Sequence, residues 1–171
     1  AKLVREGRAK FLSQFPALAT EEGERSLSDP CDPQSHERCL LDFDEREEHR
    51  ATYDLHRDLL TLRRTDVIFQ RQRNDLLDGT AFDVERLAVR YFGDGDDRLL
   101  IVNFGQDFFM TPVPHPLVAP PRGRRWEVIW TTEHPRYGAT SLPEVLFTDG
   151  LRLPAESAVV FRAVIDGAVQ P

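Results

Sequence analysis

The apolar residues of this chain change period once, near Thr65, from about 3.6 residues to 2, and no helical pattern returns afterwards. A chain patterned in this way predicts a helical N-terminal part followed by many short antiparallel strands. Candidate strands fall at 67–69, 87–91, 99–104, 108–113, 126–131, 151–153 and 157–163, with shorter ones near Leu76 and Phe82. Asp78-Gly79, the run from Gly93 to Asp96, Asn103-Phe104-Gly105 and Asp149-Gly150 read as the turns between them. Strands of this number with no helices between them predict a mainly β fold, an antiparallel β-sandwich preceded by two α-helices and a loop-rich segment.

Ahead of Thr65, Leu3, Gly7, Phe11 and Phe15 recur every fourth residue, which predicts an amphipathic helix ended by Pro16. Asp32 suits an N-cap and Pro33 a first helical position, so a short helix is expected to run towards Cys39. A longer helix is expected from about Glu45 to Arg64, and its apolar residues form two stripes rather than one. Ala51, Leu55, Leu59 and Leu62 cluster on one side, while Tyr53 and Leu60 lie roughly 150° away at about 100° per residue. A helix wetted on one face needs a single stripe. Two stripes predict a helix held between two bodies, unless Tyr53 and Leu60 are merely lone surface residues, which are common.

The charge balance disfavours a nucleic-acid partner, since Lys and Arg are outnumbered 22 to 29 and the net charge is −7. No apolar run reaches the roughly 18 residues of a membrane span. Cys31 and Cys39 could close a small loop, but a chain of 171 residues does not need that staple, and reduced thiols in a cytoplasmic protein are the expectation. The opening at Ala1, without Met and inside a helical pattern, is what an excised domain would show, and an expression scar would look the same.

The motifs of common chemistries do not assemble. His49 and His56 share a helix face but lie about 10.5 Å apart, too far for one metal ion. His36, His115 and His134 stand alone, and solvated or capping roles are expected for all five histidines. Asp94-Gly95-Asp96-Asp97 resembles a calcium loop for four residues, but Gly105 stands where its bidentate Glu would be, so a hairpin turn is the reading. Neither a glycine-rich phosphate loop nor a nucleophile elbow occurs. Carboxylate pairs such as Asp42 with Asp44 and Asp94 with Asp97 sit in polar segments, without the facing geometry that acid–base work requires. No catalytic residue, metal site or cofactor is therefore expected within the chain. Only the aromatics offer a candidate site. Trp126 and Trp130, four apart in a strand-like run, should share a face, and Tyr137 follows in the next loop. Exposed, these three rings could stack on sugars; buried, they are core.

A helix ending in Leu59-Leu60-Thr61-Leu62-Arg63-Arg64 leads to Leu87-Ala88-Val89-Arg90-Tyr91, then Leu99-Leu100-Ile101-Val102-Asn103-Phe104, then Leu153-Pro154-Ala155-Glu156-Ser157-Ala158-Val159-Val160. That order resembles the C-terminal β-domain of the α-amylase superfamily, glycoside hydrolase family 13. Three stretches resemble its malto-oligosyltrehalose trehalohydrolase branch: Val4-Arg5-Glu6-Gly7-Arg8; Asp32-Pro33-Gln34 with Leu41-Asp42-Phe43; and Leu117-Val118-Ala119-Pro120-Pro121 through Trp126 to Glu133-His134-Pro135-Arg136-Tyr137-Gly138. The tails of glycogen branching enzymes are similar. The resemblance implies a parent that hydrolyses the α-1,4 bond next to a terminal trehalose, with catalytic carboxylates on a (β/α)8 barrel preceding the part matched. It implies that residues 1–16 are the terminal helix of that barrel, 17–66 a linker with the junction helix, and 67–171 the sandwich. The barrel of the same parent is then the implied partner, with malto-oligosaccharide substrate reached only through it. A free-standing carbohydrate-binding sandwich is the alternative.

Overall fold

The computed structural model describes residues 2–16, 18, 20, 22, 29, 31–111, 115–147 and 150–167. They divide into two units, residues 1–45 and 46–171.

The first unit contains α1 (Lys2–Leu12) and α2 (Pro33–Glu37). Asp32 caps α2 as its sequence requires: the Gln34 N–H donates to Asp32 Oδ1 at 3.0 Å, and Pro33 takes the first turn. The Arg5 Nε donates to Asp29 Oδ1 at 2.9 Å, tying α1 to the segment before α2. The Asp29 carboxyl is held below the usual carboxylate range, first by the Cys31 N–H and then by Arg5. Cys31 is half-buried and Cys39 exposed, and no disulfide joins them. Helix α1 buries none of its residues; Leu3 is 83% and Phe11 62% exposed. An isolated helix of this length is marginal in water, and among the described residues its apolar stripe is left uncovered.

In the second unit the long helix is interrupted. Short α3 (Glu45–Glu48) gives way at His49, whose ψ of 37° leaves the helical region, and α4 (Arg50–Thr65) continues from there. Seven strands follow: β1 (Leu77–Ala81), β2 (Arg86–Tyr91), β3 (Arg98–Asn103), β4 (Phe108–Met110), β5 (Arg124–Thr131), β6 (Leu151–Leu153) and β7 (Ser157–Ile165). They form an antiparallel sandwich of a five-stranded sheet, ordered β1-β2-β3-β7-β5, and a two-stranded sheet, β4-β6.

The register gives each face of the large sheet its own residues. Ala88, Ile101, Val159 and Thr131 lie in one cross-strand row, and Leu99 pairs with Phe161 in the next. Apart from Thr131, a buried polar residue, these belong to the main core with Met110, Leu151 and Leu153 of the small sheet, and with Val118, Trp126 and Val145. On the opposite face Val89, Leu100, Val160 and Trp130 form a second row, of which Leu100, Val160 and Trp130 line a groove together with Leu59 and Leu62 of α4.

Three local expectations are corrected. Residues 67–69 form no strand, because Asp66 Oδ1 accepts the N–H groups of Ile68 (2.9 Å) and Phe69 (3.2 Å) and turns the chain into a 3-10 segment, Phe69–Arg71. Asp78-Gly79 is no turn: it lies inside β1, opposite Arg90 and Val89, where an edge strand tolerates both residues. The proposed strand at 108–113 ends at Met110, and residues 112–114 lie outside the described residues.

The segment between β2 and β3 is the expected hairpin turn, with Asp94 (φ 56°) and Gly95 (φ 92°) both left-handed. Its carboxylates bind arginines. Asp97 Oδ2 accepts from Arg90 Nε (2.9 Å) and Nη2 (2.7 Å), and its Oδ1 accepts the Gly93 N–H at 2.8 Å. Arg90 Nη1 donates to the carbonyls of Leu117 (3.0 Å) and Ala119 (2.7 Å), so one buried guanidinium pins the turn to the 3-10 segment Pro116–Val118. Arg98, also buried, donates to Asp66 Oδ2 at 2.7 Å and fastens the end of α4 to β3.

Candidate functional site

Helix α4 has the two faces its pattern predicts. Leu59 and Leu62 look onto the sheet above Leu100, Val160 and Trp130, whereas Tyr53 and Leu60 are 40% and 48% exposed on the far side. Two guanidinium groups lie over the Tyr53 ring, Arg46 at 5.6 Å and Arg57 at 5.9 Å from its centroid, which adds charge to this outer apolar stripe.

Two depressions open between α4 and the sheet, with Leu62 and Trp130 common to both. The larger, a groove of about 610 Å³, is lined mainly by apolar side chains and carries no carboxylate. The smaller, a cleft of about 360 Å³, contains Asp58, His134, Arg136 and Tyr137. Here the Tyr137 hydroxyl donates to Asp58 Oδ2 (2.6 Å) and accepts from Trp130 Nε1 (3.2 Å), while Arg136 pairs with the same carboxylate oxygen at 2.7 Å. Burial pushes the Tyr137 phenol up from its ordinary pKa, the bond to Asp58 adds to this, and the Trp130 N–H opposes it. The cluster fastens the 3-10 turn Pro135–Tyr137 to α4. His134 caps that turn through Nδ1, which accepts the Arg136 N–H at 3.2 Å, and His115 caps Pro116–Val118 in the same way, accepting from Leu117 at 3.1 Å.

The three aromatics therefore do not form one platform. Trp126 is 8% exposed, donates its indole N–H to the Val118 carbonyl (2.7 Å), and lies between Phe161 and the Arg90 guanidinium. It is a core residue with no face left for a ligand. The shared face expected for Trp126 and Trp130 is lost at a bulge: the register with β7 shifts between Val128 and Trp130, so Trp126 pairs with Ala163 on the core side and Trp130 with Val160 on the helix side. Only Trp130 and Tyr137 come together, 6.2 Å between centroids. Asp58, which joins them to α4, was not singled out by sequence, where it reads as one more exposed helix carboxylate.

Hydrolysis of a glycosidic bond needs two carboxyl groups facing one another across the substrate. The groove has none, and the single one in the cleft is engaged by Arg136 and Tyr137. Among the described residues no three His, Cys, Asp or Glu side chains come together to hold a metal ion, and no helix is long and apolar enough to cross a membrane.

Residues 74–160 match the family described as a domain of unknown function, DUF3459. The malto-oligosyltrehalose trehalohydrolase of Deinococcus radiodurans is 40% identical over 107 residues, covering 61% of this chain and 17% of that protein. Among solved structures, a mutant trehalose-6-phosphate hydrolase of Bacillus licheniformis aligns with a TM-score of 0.45 and 18% identity, over 62% of this chain and 17% of the other. The chain thus spans less than a fifth of the length of either relative.

Proposed function

The chain belongs to the DUF3459 family, and from that premise we propose that it is the C-terminal, non-catalytic segment of a trehalose-releasing glycoside hydrolase, where it steadies the catalytic barrel. The 40% identity to a malto-oligosyltrehalose trehalohydrolase over 107 residues supports this parent. The observation that carries the steadying role is the outer stripe of α4. Tyr53 and Leu60 are exposed on a different side of the helix from the leucines that line the groove, so the helix offers a second apolar seat. In this reading residues 1–16 are the barrel's terminal helix, 17–66 the linker and junction helix, and 67–171 the sandwich. The uncovered stripe of α1 fits the same partner. The parent acts on malto-oligosyltrehalose in the cytoplasm.

A free-standing carbohydrate-binding module is less well supported. Trp126 has no exposed face, and Trp130 and Tyr137 direct their polar ends at one another and at Asp58.

The pure chain incubated with malto-oligosyltrehalose is expected to release no trehalose above the protein-free control. Measurable, protein-dependent release would overturn the non-catalytic assignment.

A further inference from the structure

The groove under α4 has the chemistry of a ligand site, independent of any docking to a barrel. Leu59 and Leu62 form its roof and Leu100 and Val160 its floor; Phe69, edge-on to Tyr91 at 4.9 Å, closes one side. Its volume of about 610 Å³ falls in the range of small-molecule pockets, roughly 300–1,000 Å³, which are typically apolar with a few convergent polar groups. Gln72 and Asn74 add neutral polar groups to its wall, and its charged groups are all basic. Arg63 and Arg71 line the groove, are exposed, and have no ion-pair partner among the described residues, in a chain of net charge −7. Arg73 beside them is already paired with Asp75. No carboxylate lines the groove to compete for these charges.

We propose that this groove binds an amphipathic anion, a medium-chain carboxylate whose apolar body lies between α4 and the sheet while its headgroup meets Arg63 and Arg71. The apolar part supplies affinity through burial, and the guanidinium pair selects the charged end. The groove residues come from α4, the segment after it and five strands, so a bound ligand would bridge helix and sheet.

Trp130 lines the groove and serves as the reporter, against the constant background of core-buried Trp126. The chain is titrated with decanoate, with decanol and with maltotriose while Trp emission is followed, and Trp130→Phe assigns the signal. Saturable binding of decanoate is expected, with half-saturation at least about tenfold lower than for decanol. Arg63→Glu with Arg71→Glu should erase that advantage, while Arg136→Glu, which lies only in the neighbouring cleft, should leave it intact. Both groove arginines are exposed, so the double variant is expected to fold, as far-UV circular dichroism would verify. Should it not, the paired Gln substitutions test the same point. The proposal fails if decanoate gives no saturable change below its micelle-forming concentration, or if decanol binds equally well. It also fails if maltotriose alone saturates, or if Arg136→Glu rather than the groove pair weakens binding. None of these outcomes bears on the barrel-steadying role.

Discussion

Asp97→Ala is expected to cost about 3–5 kcal/mol of unfolding free energy, because it strands a buried charge. Arg90 and Asp97 have side chains 9% and 5% exposed and share two hydrogen bonds. Removing the carboxylate leaves the Arg90 guanidinium facing Trp126 and Phe92 with only two carbonyls as partners, and leaves the Gly93 N–H without its acceptor. Gly93 cannot adjust by gaining a side chain, since a Cβ there would collide with the Asp96 carbonyl. For a domain whose total stability is of order 5–15 kcal/mol, the loss should unfold a large share of the protein under mild denaturant. Urea titration followed by circular dichroism measures it. The pair Arg90→Met with Asp97→Leu should recover only the part of the loss due to the stranded charge, because the Gly93 N–H and the Leu117 and Ala119 carbonyls stay without partners. A loss below about 1 kcal/mol for Asp97→Ala would mean that the pair does not anchor the turn.

The second large effect is a contrast between two apolar residues. Phe161, 1% exposed in the main core, should cost about 3–5 kcal/mol on truncation to alanine. Leu60→Asp should cost only about 0.5–1 kcal/mol in the isolated chain, through helix propensity and the charge placed in the C-terminal half of α4, since the side chain is half exposed. The difference expresses the claim that Leu60 belongs to a surface whose cover lies outside this unit. Equal costs would place Leu60 in a core of this chain.

The strands were legible because their apolar alternation survives into the fold: the candidates at 87–91, 99–104, 126–131, 151–153 and 157–163 correspond to β2, β3, β5, β6 and β7 with small shifts at the ends. The cap at Asp32 and the two faces of α4 were legible for the same reason, since a short side chain and a helical period are local facts. What failed were features set by partners distant in sequence. Nothing local marks the bulge before Trp130 that separates it from Trp126. The Asp66 side chain takes two amide donors that a strand at 67–69 would have needed. Asp78-Gly79 has turn chemistry but is held straight by pairing with β2. Asp58 acquires its place only when Tyr137, 79 positions away, folds back onto α4.

In the proposed role the outer face of α4 is a seat for another body. The direct measurement uses the Deinococcus radiodurans trehalohydrolase lacking the segment that matches this chain, mixed with the chain and with its Leu60→Asp variant, while association is followed by calorimetry and thermal unfolding by circular dichroism. The chain should bind the truncated enzyme and raise its melting temperature, and Leu60→Asp should weaken that binding at least about tenfold. Binding that is unchanged by Leu60→Asp, or no binding by a folded chain, would contradict it.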